Sequence, residues 1–566
     1  MAKSVKRKDI QDFAIAVVAI LLLGYISSFV FFRIDLTSEN RYTLSSITKQ
    51  TLSELPDLVH VTVYLDGDLP IGFKRMRRSL NENLEEFHVY GKRKFQYQFV
   101  NPSASPNQKN RDDFYRDLYN KGLEPTNVQE RDPKGGSTQR IIFPGAIVSY
   151  RDKVVAINLL KNNQTLTSDE NINLSIQAFE YEIIKAIKSL TQEEKPKLAF
   201  IHGHGELDEL ETGDIARELS SQFEVHRAIL GGEVGGLESY SVVIVAGPTE
   251  SIPEADKLVI DQYIMNGGRV IWFIDAVNVS IDSLSRGSTT LAFPNTHNLD
   301  DMLFRYGVRV NPTLIQDLQC AVIPINTGLA GQDTRFSPVP WVYYPLFSAP
   351  STHPITRNLN LIYSRFASTI DTVGGNSTVT KKVLLQTSDN SRLLNVPLFI
   401  SLKQIEQSPL EREFNRKRMP IAVLLEGKFE SPFKNRVTKS FNNGNPFQFK
   451  EQGIFTQMIV VADADIIRND VNRRSDGAYI SPLGFDKFTN QTFGNKEFIV
   501  NMVNYLSDDT GLMSLRSREL KLRLLDRKKL IAERFKWQVI NMTVPSVLMV
   551  VFALIWIFVR KRRYSR

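Results

Sequence analysis

KLAFIHG at 197–203, VVIVAGP at 242–248 and RVIWFID at 269–275 are short apolar runs, each closed by a turn signal. Between the last two lies IPEADKLVIDQYIMNGG (252–268), a helical stretch ending in two glycines. Near-continuous apolar strands alternating with helices predict a mostly parallel sheet covered on both faces, the doubly wound α/β class. Further strands are expected at VLLQTS (383–388), IAVLLEG (421–427) and MIVVADAD (458–465), with a closing helix at Asn495–Leu506. This Rossmann-like domain is expected over 196–508. The interval 320–380 reads as loop-rich.

Upstream, RYTLSSITKQTLSEL (41–55) has helix-like spacing and VHVTVYL (59–65) alternates as a strand. A helix at Phe73–Tyr90 and a second alternating strand in KFQYQFVNP (94–102) follow. IIFPGAIVSY and KVVAINLL, joined at Arg151-Asp152, read as a hairpin. This β-α-β order followed by a hairpin predicts a thioredoxin-like domain over 40–160. Its redox chemistry is missing, because the chain holds one cysteine, Cys320, and no Cys-x-x-Cys. A helix at 169–190 bridges to the larger domain.

Both ends read as membrane helices. Phe13–Phe32 is a run of twenty uncharged residues, about 30 Å of helix, which matches a bilayer's hydrocarbon core. A cleaved signal peptide is the rival reading, but its apolar region would be shorter and would end in small residues. Val539–Val559 is the second span, flanked by Trp537 and Trp556, with an amphipathic helix at 512–538 running into it. The tails 1–12 and 560–566 contribute +2 and +5 of the formal +8, so the 547 residues between them sum to about +1. Basicity therefore belongs to the flanks, and nucleic-acid binding loses its support. Basic tails place both termini in the cytoplasm and the main domains in the periplasm, at the inner membrane. The basic stretch LRSRELKLRLLDRKKLIAERFK (515–536) then lies outside, which is tolerable because long domains translocate with little regard to charge.

The sharpest local feature is His202-Gly203-His204-Gly205-Glu206, at the end of the strand LAFI. Two imidazoles and a carboxylate at alternate positions offer ligands to a polar molecule or a divalent metal. The plainer reading is a glycine-shaped turn with a hydrogen-bonded histidine. Asp463 and Asp465 in VVADADIIRND suggest a cation site at a strand end, or caps for the following turn. His202, Gly203, His204, Glu206, Asp463 and Asp465 are thus the ligand-binding candidates. No catalytic or metal residue is assigned and no cofactor is expected. GGEVGG (231–236) lacks a phosphate-loop frame, and no GxxxxGK[ST] occurs, so the chain carries no P-loop ATPase. Cys320 reads as packing, and the cluster Trp341, Tyr343, Tyr344 and Phe347 as core filling or, alternatively, a platform for a glycan or peptide.

Taken in order, RYTLS, the VTVYL strand, EYEIIKAIKSL (180–190), IHGHGE (201–206), YIMNGGRVIWFID (263–275), HPIT (353–356), IAVLLEGKFESPF (421–433), VVADADIIRND (460–470) and GNKEFIVNMVNYLSDDTGLMSLRSREL (494–520) resemble one family. It is the gliding-motility-associated ABC-transporter auxiliary proteins of Bacteroidetes, the GldG family. The resemblance implies a non-enzymatic, substrate-binding or accessory component beside a multispan ABC permease and a separate ATPase subunit. It carries no catalytic residues. Motility or envelope proteins are further expected partners. The alternatives are a scaffold that docks such a complex without binding solute, and a metal-dependent hydrolase built on the HGHGE segment.

Overall fold

The computed structural model describes residues 13–22, 24–25, 43–131, 137–163, 166–326, 336–350, 353–374, 378–406, 409–436, 447–474, 477–517 and 527–564. The chain forms two compact units, Tyr42–Arg518 and the terminal stretches Met1–Arg41 with Glu519–Arg566. Among the described residues, helices and strands are mixed only in the first of these.

The body opens with β1 (Val59–Val63), α1 (Ile71–Gly91) and β2 (Phe95–Phe99). Then come α2 (Gln108–Asn120), the hairpin β3 (Thr126–Arg131) and β4 (Ser137–Ile142), and the hairpin β5 (Gly145–Tyr150) and β6 (Lys153–Asn158). The strand order is β2-β1-β5-β6, with β1 parallel to β2 and antiparallel to β5. Alternation in VHVTV puts Val59, Val61 and Val63 into the core, where they meet Leu80, Leu84 and Phe87 of α1. α2 replaces the polar connection expected there. Its sequence QKNRDDFYRDLYN buries Leu118 alone, so no apolar stripe announces it.

α3 (Ser168–Thr191) starts at a capping box in which Thr167 and Glu170 satisfy each other's backbone N–H groups. Its Phe179, Ile183, Ile184 and Ile187 pack on the small sheet. Its opposite side carries Glu182, which pairs with Lys161 at 2.7 Å. Lys161 also reaches Glu497 of the larger fold at 3.7 Å, and Arg516 lies 3.4 Å from that carboxylate. Burial pushes Glu182 up, but Lys161 overrides it and holds the carboxyl at about 2.

The larger fold contains β7 (Lys197–Ile201), α4 (Gly213–Ser220), β8 (Glu224–Ala228), β9 (Val242–Ala246), α5 (Glu254–Met265) and β10 (Val270–Phe273). Later come β11 (Val379–Gln386), β12 (Pro420–Glu430), β13 (Gln452–Val461) and α6 (Asn495–Ser507). One seven-stranded sheet results, in the order β11-β12-β13-β10-β9-β7-β8. From β13 to β8 all neighbours are parallel, whereas β12 runs antiparallel to both β13 and β11. One face packs under Ile215, Leu219, Phe498 and Met502, the other under Val259, Ile260, Ile264 and Met302. Both faces being covered, VVIVA is buried at all five positions.

The interval read as loop-rich instead holds strands Cys320–Asn326, Phe336–Phe347, Ile362–Tyr363 and Thr369–Thr372. Trp341 and Tyr343 are core residues there. Residues 512–517 form a 3-10 turn rather than the start of a long amphipathic helix, and 518–526 lie outside the described residues. α7 (Arg527–Tyr564) runs without a break past Trp537. Among the described residues it is the one helix long and apolar enough to cross a membrane, over Ala532–Arg562. Phe13–Leu22 is a shorter apolar helix, and the rest of the expected first span, except residues 24–25, lies outside the described residues.

Gly427 in β12 tests the register of the sheet. Its φ is +153°, and a Cβ would fall 2.1 Å from the Thr378 carbonyl oxygen. Gly427→Ala is expected to destabilise the body by roughly 3 kcal/mol, read as a lowered melting temperature. An unchanged melt would show that β11 and β12 are not paired this way.

Candidate functional site

In an open α/β sheet, ligands collect outside the carboxyl ends of the strands where the strand order reverses. Here β7 has β8 on one side and β9 on the other, so the reversal lies at the end of β7. The HGHGE segment occupies that position, as the sequence suggests.

Two glycines shape it. Gly203 has φ +129° and Gly205 φ +71°, so the chain turns twice and the two histidines part. His202 is exposed and borders an open hollow of about 400 Å³ with Asp208, Arg227 and Ile229. His204 turns inward and is 5% exposed. Its Nδ1 lies 3.0 Å from Glu206 Oε1, and its Nε2 lies 3.0 Å from Asp256 Oδ2. Carboxylates only accept, so both ring nitrogens donate and the ring is an imidazolium. The bond to Glu206 raises the His204 pKa, burial opposes it, and Asp256 adds to the rise. Burial would raise Glu206, but the His204 ring and backbone N–H groups leave it lowered.

An imidazolium with both N–H groups engaged has no lone pair for a metal and none to accept a proton. The structure therefore joins His204 and Glu206, adds Asp256, and leaves His202 apart. Asp256 sits in the first turn of α5, where its Oδ1 also accepts the Gly232 N–H at 2.7 Å. Only its character as a first-turn acid was visible in the sequence.

The crevice itself is closed by backbone. The His204 carbonyl accepts from the N–H groups of Thr249 (3.1 Å) and Glu250 (2.9 Å), which follow β9. The Leu207 N–H donates to Ala246 O at 2.9 Å. A Cβ on Gly205 would lie 2.1 Å from Thr249 Oγ1, so the loops after β7 and β9 are in contact there, and the hollow beside His202 lies on the β8 side.

Asp463 and Asp465 follow β13, two strands away from β9, and do not join the histidine cluster. Asp463 is buried and accepts from the Ser364 hydroxyl, the Arg365 N–H at 3.2 Å and the Asp465 N–H at 2.8 Å. Asp465 pairs with Arg468 at 2.9 Å. Asp463 caps the 464–466 turn, and Asp465 sits inside that turn rather than capping it. Asp275, after β10, was not foreseen; its Oδ1 accepts the Ala464 N–H at 2.6 Å. Burial, with Asp465 beside it, pushes Asp275 up to about 6, and Asp463 lies well above the usual carboxylate range for the same reasons. Among the described residues no group of three His, Cys, Asp or Glu side chains is placed to hold a metal ion.

A larger hollow of about 690 Å³ lies beside the helix Asp300–Tyr306. Its charges are largely paired: Arg436 contacts Glu254 and Asp301, and Arg305 contacts Glu430. Cys320, half-buried, has its thiol pushed up to about 11 by burial, which removes it as a nucleophile at neutral pH.

Residues 195–502 match a family described as an ABC-type uncharacterized transport system. Residues 38–149 match a domain of unknown function (DUF7088). An uncharacterized protein of Borreliella burgdorferi is 19% identical over 580 residues, which cover 99% of each chain. Among solved structures, the mmIFT52 N-terminal domain is 13% identical, with 56% of this chain and 98% of that one covered, at a TM-score of 0.31. A thua-like protein from Parabacteroides merdae is 12% identical, with 56% and 91% covered, at a TM-score of 0.27. Such scores do not equate the folds.

Two pH-dependent outcomes follow from the clusters. Because folding raises the His204 pKa, its contribution is complete below the ordinary histidine value of about 6.5 and fades as pH climbs through the raised one. His204→Gln should cost roughly 2 kcal/mol near pH 6 and progressively less in alkali, by thermal melts across pH. A penalty that grows with pH would contradict the imidazolium. Asp275 has the opposite consequence: its raised value costs native stability as pH rises from about 4 through about 6. Asp275→Asn, whose amide oxygen still accepts from Ala464, should gain about 1–2 kcal/mol at pH 8 and nothing near pH 4. A loss at pH 8 would mean the ionised carboxylate is needed.

Proposed function

This chain belongs to the ABC-type uncharacterized transport system family of ABC-transporter auxiliary proteins, and on that premise we propose that it is a non-enzymatic, membrane-anchored auxiliary subunit of the gliding-motility-associated GldG kind. It works beside a separate ATPase and a multispan permease. The observation that carries the non-enzymatic reading is the state of His204, whose two ring nitrogens are both engaged by carboxylates where the loops after β7 and β9 close on each other. The lack of GxxxxGK[ST] supports an ATPase on another chain.

Anchoring is read from α7 and from the apolar run Phe13–Phe32 as a second span. Their basic flanks favour cytoplasmic termini and a periplasmic body at the inner membrane. The order β2-β1-β5-β6 supports a thioredoxin-like small domain, used for binding since it has no cysteine pair. The partition into domains at 40–160 and 196–508, joined by the 169–190 helix, is part of the same reading. Bacteroidetes remains the source suggested by the ordered motifs.

Purification through an affinity tag on the full-length chain from detergent-solubilised membranes tests the proposal. An ATPase and a multispan permease should co-elute with it. Elution without either, from membranes that contain both, would contradict it.

A further inference from the structure

The small domain has its own reversal point, and there the crevice is open. The chain leaves β1 for β2 on one side and returns as β5 on the other, so β1 marks the reversal. A cavity of about 530 Å³ lies at the carboxyl ends of β1 and β2, within the usual range for ligand sites. Tyr64 and Asp68 follow β1, Asn101 and Ser103 follow β2, and all four line it.

The fourth wall identifies the occupant. Gln139, Arg140, Ile141, Ile142 and Phe143 line the cavity consecutively. The first four belong to β4, and side chains on a strand alternate between faces, so four strand residues in a row reach one space only if the strand presents its edge. Among the described residues β4 pairs with β3 alone, which leaves its other edge open. The charges nearby are committed already. Arg77 holds Asp66 at 2.8 Å, Arg140 holds Asp68 at 2.6 Å, and Arg111 donates to the carbonyls of Ser105 (2.8 Å) and Pro106 (3.1 Å). Guanidiniums engaged in this way argue against an anion as the occupant. Tyr115, its ring centroid 5.2 Å from that of Phe143, gives the floor an apolar surface.

We propose that this crevice docks an extended segment of a partner protein, which adds as a strand to the open edge of β4. Main-chain hydrogen bonds supply the affinity, and alternate side chains of the segment meet the aromatic floor. The inference rests on the proposed auxiliary role for its expectation of a protein partner.

Full-length protein in detergent would be panned against random peptides about twelve residues long, twice the length of β4. A recovered peptide would then be synthesised with single backbone N-methyl groups at each position. Methylation at every second residue of the bound stretch should weaken binding about tenfold, with little effect between, because alternate amides face the strand edge. Ile141→Arg, at a side chain 42% exposed, should weaken the unmodified peptide comparably. The N-methyl scan uses the unaltered protein, so it stands even if that variant misfolds. Recovery of no binding peptide, or binding with no alternation in the methyl scan, would overturn the proposal. Co-elution of ATPase and permease from the same preparation reports on the auxiliary role separately, so either reading can fail alone.

Discussion

A parallel strand buried on both faces can reach its next neighbour only by crossing the sheet and returning outside it, and that constraint orders this body. The runs LAFI, VVIVA and VIWF leave no polar face, so α4, α5 and α6 must supply cover on both sides. Each strand then ends at the same edge, and the loops of that edge carry whatever chemistry the sheet can present. α3 extends the constraint to the small domain. It packs on the small sheet with its apolar side and presents Glu182 to Lys161 on the other, beside Glu497 and Arg516 of the larger fold. A half-buried group of four charges costs something to break by removing one member, so it fixes the join more than it strengthens it.

At the two reversal points the same physical rule has opposite outcomes. After β7 the chain folds over the strand ends, donates and accepts its own backbone bonds there, and locks His204 between two carboxylates. After β1 and β2 the loops stand apart and leave a strand edge in the opening. With both ring nitrogens engaged, His204 has no lone pair to offer at the first point. A protein built for association needs an unpaired edge, which is a liability unless something is meant to cover it.

Much of the framework was legible because it rests on periodicity. The runs at 197–203, 242–248 and 269–275 become β7, β9 and β10, and the closing helix begins at Asn495 as expected. What escaped has particular causes. α2 buries one leucine and so lacks a stripe. The strands of 320–380 belong to small two- and three-stranded sheets; two are only two to four residues long, and the twelve-residue Phe336–Phe347 carries Pro338, Pro340 and Pro345, which read against a strand. At the HGHGE segment the place was legible and the role was not. His204 meets Asp256 across 52 residues of sequence, and only the fold brings that carboxylate in. The turn reading of Asp463 and Asp465 was available because an acid at a strand end, followed by a tight turn, is a local pattern.

The contrast between a sealed crevice and an open strand edge is most directly measured by native-state hydrogen exchange on the full-length protein. The account predicts slow exchange at the amides of Thr249 and Glu250, which donate across to the His204 carbonyl, and of His204, which donates to the Glu206 carboxylate in its own loop. It predicts alternating fast and slow amides along Ser137–Ile142, since one edge of that strand pairs and the other faces the cavity. Rapid exchange at the first three together with uniform protection along β4 would contradict it.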